Sequence, residues 1–485
     1  MHEVKRASVH HWGTSVGMAM VSILAGMGLA VAAPSPASSS VWDQLTAHPA
    51  SISVFVQNPT VGQREVLKAR GLPPSADVNL LWETITGHWR VNGPTFIGAQ
   101  YHEGIAVLAN LKADHQGDLT TDFAIPQGFG GEHLLGLQLA SGKMAAVSSV
   151  TIIPSVSLAS SSVGQGGFFR FTMHGIGYQP YFAQFPVLYD NRITGNVTAV
   201  NTDGTAHFSI RAEGVGSNEI VVSNGTMGAP YLNEQQSPFP YMPNFSFPVT
   251  VLPGTPADVS SPLPTLSAPQ GRYLTASVGS GVVGSAYTLI GHGLKPNHHY
   301  RLTWWTTKGS HVSGNGYSAV AVPMGTVVTN KTGAFRLPET VPSDLGGPAH
   351  QITLSNQGKV ISAISFQIFP KVIAVSPNPA PEGSLVTVTL LGGGWTDYDN
   401  IYAVDYDNGF VGFGCAFNSQ GNLQIQFRTT GNPGIHFIDL YPSIWKGKQT
   451  LPNSYLLPQL TYNADHPGDW LPAFHLVLKV IAPTA

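Results

Sequence analysis

The chain has 485 residues, too many for one hydrophobic core, and 42% of them are apolar while only 10% are charged, well under the usual quarter. A net charge of −3, with no Lys/Arg run beyond the first residues, provides no electrostatic footprint for nucleic acid. One cysteine, Cys415, excludes an intramolecular disulfide, a Cys-rich zinc site and c-type haem attachment.

Lys5 and Arg6 precede an uncharged apolar run over 16–33 that ends in small residues and a Ser/Pro-rich stretch. A basic start, an apolar middle and a small-x-small exit form a secretory signal, with cleavage expected after Ala32. Residues 1–33 are therefore read as a signal peptide or an uncleaved anchor, and 34–50 as a linker. The mature protein is expected to be secreted or on the cell surface, touching a membrane only through that segment.

Two internal echoes set the organisation of the rest. VLYDNRITGNVTAVNTDG at 187–204 aligns without a gap on 404–421, matching Tyr189/Tyr406, Asp190/Asp407, Asn191/Asn408, Gly195/Gly412, Asn201/Asn418 and Gly204/Gly421. Upstream, 61–87 aligns on 283–309, with Leu72/Leu294, Leu80/Leu302, Trp82/Trp304 and Gly87/Gly309 in register. Two echoes at nearly the same spacing mean that a pair of modules, A then B, has been duplicated.

Module A is expected over 51–153 and its copy A′ over 266–369, both made of short β-rich runs between Gly/Pro turns, the pattern of a sandwich. Module B is expected over 154–252 and B′ over 370–483, each with a Gly-rich step, the Tyr-Asp-Asn hairpin and an NxxG turn. Residues 253–265, rich in Pro and Ser, have the composition of an extended linker, so two stiff pairs joined by a looser hinge are predicted. Trp82 and Trp304 follow Leu80 and Leu302 at the strand period and are expected in the cores. His133, His350 and His436 recur before aliphatic residues, which marks them as structural.

The segment VIAVSPNPAPEGSLVTVTLLGGGW at 372–395 resembles the opening of IPT/TIG-type immunoglobulin-like domains, with a Pro-rich entry, a Gly turn, an alternating strand and a Gly-rich step. All four modules resemble bacterial extracellular immunoglobulin-like repeats. The resemblance implies an all-β protein of four tandem sandwiches, exported, with function left open because a fold does not fix one.

The sequence carries no HExxH, GxSxG or GxxxxGKS/T motif. The polar residues of the last module are nonetheless numerous for so charge-poor a chain. Asp407, Asn408, His436, Asp465 and His466 are the candidate metal ligands, suited to Ca²⁺ or another divalent cation, and Asp405 and Asp439 stand where module B has Leu188 and Val221. Trp445, Tyr462 and Trp470 are the candidate binding aromatics. Two readings follow. The first is a non-catalytic protein, needing no cofactor, that recognises an extracellular protein, a polysaccharide or itself; the second is a metal-dependent binder or hydrolase with its site in the last module. The long segments 228–245 and 451–471 of B and B′ are expected either to carry binding or to cover a sheet edge.

Overall fold

A computed structural model describes residues 41–46, 49–54, 58–226, 228–236, 243–309, 316–416, 420–445, 453–468 and 470–483. The export-signal reading falls outside them. The described chain is almost entirely β, with helical turns only at Val41–Asp43, Glu234–Gln236, Asn453–Leu456 and Tyr462–Asp465. No described helix is long and apolar enough to cross a membrane.

Strand formation follows from alternation. In Arg64–Arg70 every second residue, Glu65, Leu67 and Ala69, is buried while its neighbours face outward or part-way, as side chains of a pleated strand must. This strand lies between Ser51–Val54 and Leu119–Ala124. The second sheet of the same body runs Thr95–Lys112, Asp77–Asn92, Gly131–Leu139, Met144–Ile152. Leu67, Leu80, Trp82, Phe123, Leu135 and Leu137 fill the space between the two.

The pattern returns three times. Ala206–Arg211, Phe168–His174 and Ser155–Leu158 pack against a five-stranded sheet that ends on Arg192–Val197, around Phe169, Phe171, Phe185 and Ile210. A third pair of sheets encloses Leu289, Leu302, Trp304, Ile352 and Phe366. The fourth encloses Val386, Val388, Tyr402, Val404 and Leu440. Each core is aliphatic and aromatic, and burial of such side chains contributes roughly 1.5–3 kcal/mol apiece.

Local geometry repeats with the sequence. Asp190 and Asn191 have φ of 46° and 64°, and Asp407 and Asn408 have 51° and 53°, so both Tyr-Asp-Asn segments make a two-residue hairpin turn with two left-handed residues, which Asp and Asn tolerate. Gly130 N–H donates to the Ile176 carbonyl at 3.0 Å, and Gly346 N–H to the Gly393 carbonyl at 2.9 Å. A side chain at Gly130 or Gly346 would run into the backbone of Gly175 or Gly392. The same close approach thus joins successive sandwiches in both halves of the chain.

Trp82 and Trp304 are 4% and 3% exposed, and each stacks on a histidine, His133 at 5.0 Å and His350 at 4.7 Å between ring centroids. Both histidines bridge two backbone carbonyls, those of Glu83 and Phe129 for His133 and those of Trp305 and Leu345 for His350.

The segment read as a loose hinge is strapped down. Val259–Ser260 pairs antiparallel with Phe474 and His475, the Val477 N–H donates to Asp258 Oδ1 at 2.7 Å, and the Ser261 N–H to the Ala473 carbonyl at 2.9 Å. Pro/Ser composition favours an extended chain but does not keep it free. Here the open edge of Phe474–Ile481 supplies the partners that an extended segment needs. Cys415, whose place in the strand-like run FGCAF suggests a small half-buried residue, is exposed on the edge strand Gly409–Cys415.

Candidate recognition site

The structure divides the candidate ligand set into two places. Asp407 and His436 meet at the end of the Tyr-Asp-Asn hairpin, with His436 Nδ1 2.6 Å from Asp407 Oδ2 and its Nε2 2.8 Å from the Asn432 carbonyl. Asp407 Oδ1 accepts the Phe437 N–H at 2.9 Å, and the imidazole stacks on Tyr406. The hydrogen bond to Asp407 holds the His436 pKa above its ordinary value, against burial. Asn408 is 1% exposed and turns away from this pair: its Nδ2 donates to the Arg211 carbonyl and its own carbonyl accepts from Thr194 Oγ1, both at 2.8 Å.

Asp465 and His466 lie elsewhere, in the helical turn Tyr462–Asp465 and just after it. Asp465 Oδ1 accepts the Asn201 N–H at 2.6 Å and the Trp89 indole N–H at 3.1 Å, and its Oδ2 accepts Thr198 Oγ1 at 2.6 Å. The indole donates more closely still, at 2.7 Å, to the Asp465 backbone carbonyl. Burial pushes the Asp465 carboxyl up to about 6, against these donors. The His466 carbonyl accepts from Asn201 Nδ2 at 2.7 Å. Among the described residues, no group of three or more His, Cys, Asp or Glu is arranged to hold a metal ion.

The candidate aromatics fare unevenly. Tyr462 is 2% exposed and gives its hydroxyl to the Tyr398 carbonyl, so it is a wall rather than an open platform. Trp445 is half-buried with its backbone N–H on the Asp397 carbonyl at 2.7 Å. Trp470 packs edge-on against Phe369.

Tyr462 belongs to a fifth cluster, made of residues far apart in the chain: Trp89, Phe96, Val200, Tyr398, Tyr455 and Leu471 among them. Trp89 and Phe96 come from the tip of the hairpin Asp77–Asn92/Thr95–Lys112, and they reach the last sandwich. Phe96 N–H donates to Asp397 Oδ2 at 3.0 Å, and the Tyr398 hydroxyl to the Gly93 carbonyl at 3.1 Å. Tyr455 stands edge-on to both rings, at 5.8 Å from Trp89 and 5.2 Å from Phe96.

This contact is made of what the repeat does not explain. Gly87 pairs with Tyr101, and their repeat partners Gly309 and Tyr317 also pair. Between them the first hairpin spends residues 88–100 and its copy only 310–316, so the tip is an extension peculiar to the first copy. It docks on the segment after Ser443, which at 444–473 is longer than its counterpart 223–244 in module B. The same segment lies along the sheet-edge strand Arg192–Val197: the Asn196 N–H donates to the Pro458 carbonyl at 2.8 Å and the Leu460 N–H to the Asn196 carbonyl at 2.9 Å.

A second junction of the two halves is ionic. Arg211, wholly buried, places Nη1 3.0 Å from Asp439 Oδ1 and 3.1 Å from the Leu476 carbonyl, with its guanidinium 4.3 Å over the Phe437 ring. His475 Nδ1 is 2.9 Å from the same Asp439 oxygen. Asp405 faces Asp439 across the strands. It is wholly buried with neither carboxylate oxygen hydrogen-bonded among the described residues, and burial, reinforced by Asp439 and Glu213, pushes its pKa well up. Glu213, 2.6 Å from Arg192, is itself raised to about 9, by burial first and then by Asp407. Arg211, Glu213, His475 and Phe96 were missed in the sequence, where Trp89 stands out only as a tryptophan without a repeat partner. The available signal was the pair Asp405/Asp439 standing where the other copy has Leu188 and Val221.

No family model matches this sequence and no curated protein matches it. Among solved structures, a Salmonella alpha-2-macroglobulin mutant is 10% identical over 90% of this chain and 32% of its own, with a TM-score of 0.20. A tetra-tandem repeat from the extending region of a large adhesion protein is 14% identical over 89% of this chain and 99% of its own, with a TM-score of 0.18. The Escherichia coli adhesin FdeC is 12% identical over 90% and 98%, with a TM-score of 0.14. The chain spans about a third of the length of the macroglobulin chain it matches. Scores this low align strands without aligning their arrangement, and the all-β assignment rests on the sheets and cores themselves.

Proposed function

We propose that this is a non-catalytic secreted or cell-surface protein, built of four immunoglobulin-like modules in a duplicated A-B pair, that serves as a scaffold and a recognition surface for an extracellular protein, a polysaccharide or another copy of itself. The observation that carries this reading is the fate of the ionisable groups. Asp407, His436, Asp465, Asp439 and Arg211 are taken up in hydrogen bonds within the protein, the last three of them between its two halves. Groups spent in this way hold sandwiches together and are poorly placed to receive a substrate. Two surface depressions, one lined by Pro269, Gln270, Gln351, Ala363, Ile364 and Ser365 and the other adjoining it, hold no ionisable side chain.

The test is binding of the purified chain, from residue 34 onward, to a glycan array, to immobilised extracellular proteins and to itself, with and without a chelator. The expected result is binding that survives chelation, with no turnover of glycoside or ester substrates. Binding that chelation abolishes, or turnover lost in H436A, would overturn the reading in favour of a metal-dependent binder or hydrolase.

A further inference from the structure

The tip of the first hairpin sits in the last sandwich as a ligand sits in a pocket. Its tryptophan is enclosed by Tyr455, Tyr462, Leu471 and Val200, its indole N–H is read by both the carbonyl and the carboxylate of Asp465, and the strand backbone at Phe96 is read by Asp397. An aromatic anchor in a desolvated pocket, with its one polar atom matched, is the chemistry of an interface hot spot. Ordinary sandwich packing needs neither half of it. Trp89 is 7% and Tyr455 7% exposed, yet Trp89 lies on an extension that the duplicated copy lacks and Tyr455 on a connection longer than its counterpart in module B.

We propose that the socket formed by Tyr398, Ile444, Tyr455, Tyr462, Asp465 and Leu471 is a recognition site for a tryptophan-bearing β-hairpin, filled in cis by the chain's own tip and open to the tip of a second copy when the two halves part. The inference rests on the reading of the chain as a recognition protein and deepens it. A second copy is the occupant that fits, because the tip already displays the complementarity. Exchange of an identical element between copies costs little once the closed form opens, since the contacts broken are the contacts remade. The Gly93 turn and the paired strands on either side keep the tip rigid, so little ordering entropy is lost when it docks in trans.

The test uses the full chain carrying W89A and F96A, which empties the socket, and a labelled peptide of residues 87–101 cyclised through added terminal cysteines. The peptide is expected to bind this variant at least tenfold more tightly than the wild-type chain, whose socket is occupied, and a W89A peptide is expected not to bind. Equal binding to both chains, or binding to neither, would overturn the proposal. If the variant refolds poorly alone, its refolding yield with the peptide carries the test: a rise with the parent peptide and none with the W89A peptide supports the site, and equal yields overturn it. Failure here leaves the glycan and self-binding results untouched, so the two readings fail separately.

Discussion

Asp407 and His436 illustrate how little a residue list says about chemistry until its partners are known. Both ring nitrogens of His436 face oxygen, the Asp407 carboxylate on one side and the Asn432 carbonyl on the other, an arrangement that favours the imidazolium. The folded-state pKa is raised above 6.5, so the pair's contribution to stability is complete below that value and is lost as pH rises through the folded pKa. In D407N, the Phe437 N–H keeps its acceptor and the imidazolium loses its counter-charge. Thermal melts from pH 5 to 9 should show wild-type stability falling more steeply above pH 6.5 than that of D407N. Parallel curves would mean that the pair carries no charge. At the same scale, Asp405 and Asp439 were visible in the sequence as acids at positions where the other copy is apolar, but Arg211 was not. Its repeat partner Arg428 lies at the surface with Nη1 on the Gly383 carbonyl, and nothing in a single sequence says which of two equivalent arginines is buried.

At the scale of elements, the hairpins and turns were the most legible part of the chain. Tyr-Asp-Asn flanked by alternating apolar residues specifies a two-residue turn through local sterics alone, and both copies make it. The strand alternation of Arg64–Arg70 and the core positions of Trp82 and Trp304 are equally local. The segments 453–468 and 253–265 were not legible, because their conformation is set by partners hundreds of residues away. The first covers the edge of Arg192–Val197 as well as gripping the tip. Replacing 453–468 by a short Gly/Ser turn should expose both the strand edge and the aromatic cluster. Light scattering is expected to show concentration-dependent oligomers, and a monomer with an unchanged melting temperature would show that the segment is dispensable.

For the whole molecule, the duplication explains the parts and the departures from it explain the assembly. Successive sandwiches meet through the same glycine approach in both halves, at Gly130 and at Gly346. The halves meet each other through features found once: the 88–100 tip, the 453–468 segment, Arg211 on Asp439, and the strap at Val259–Ser260. Breaking a buried pair such as Arg211–Asp439 from one side costs about 3–5 kcal/mol, and truncating a buried tryptophan costs about as much, so the closed form needs few residues to hold it. A string of sandwiches on a free hinge, the expectation from linker composition, would instead be extended and variable in length.

Small-angle X-ray scattering of the chain from residue 34 onward, beside the W89A/R211A variant, tests this most directly. The wild type should scatter as one closed body, and the variant should show a larger radius of gyration and maximum dimension while far-UV circular dichroism stays β. An extended wild type, or a folded variant with the wild-type radius, would contradict the claim that these contacts close the two halves.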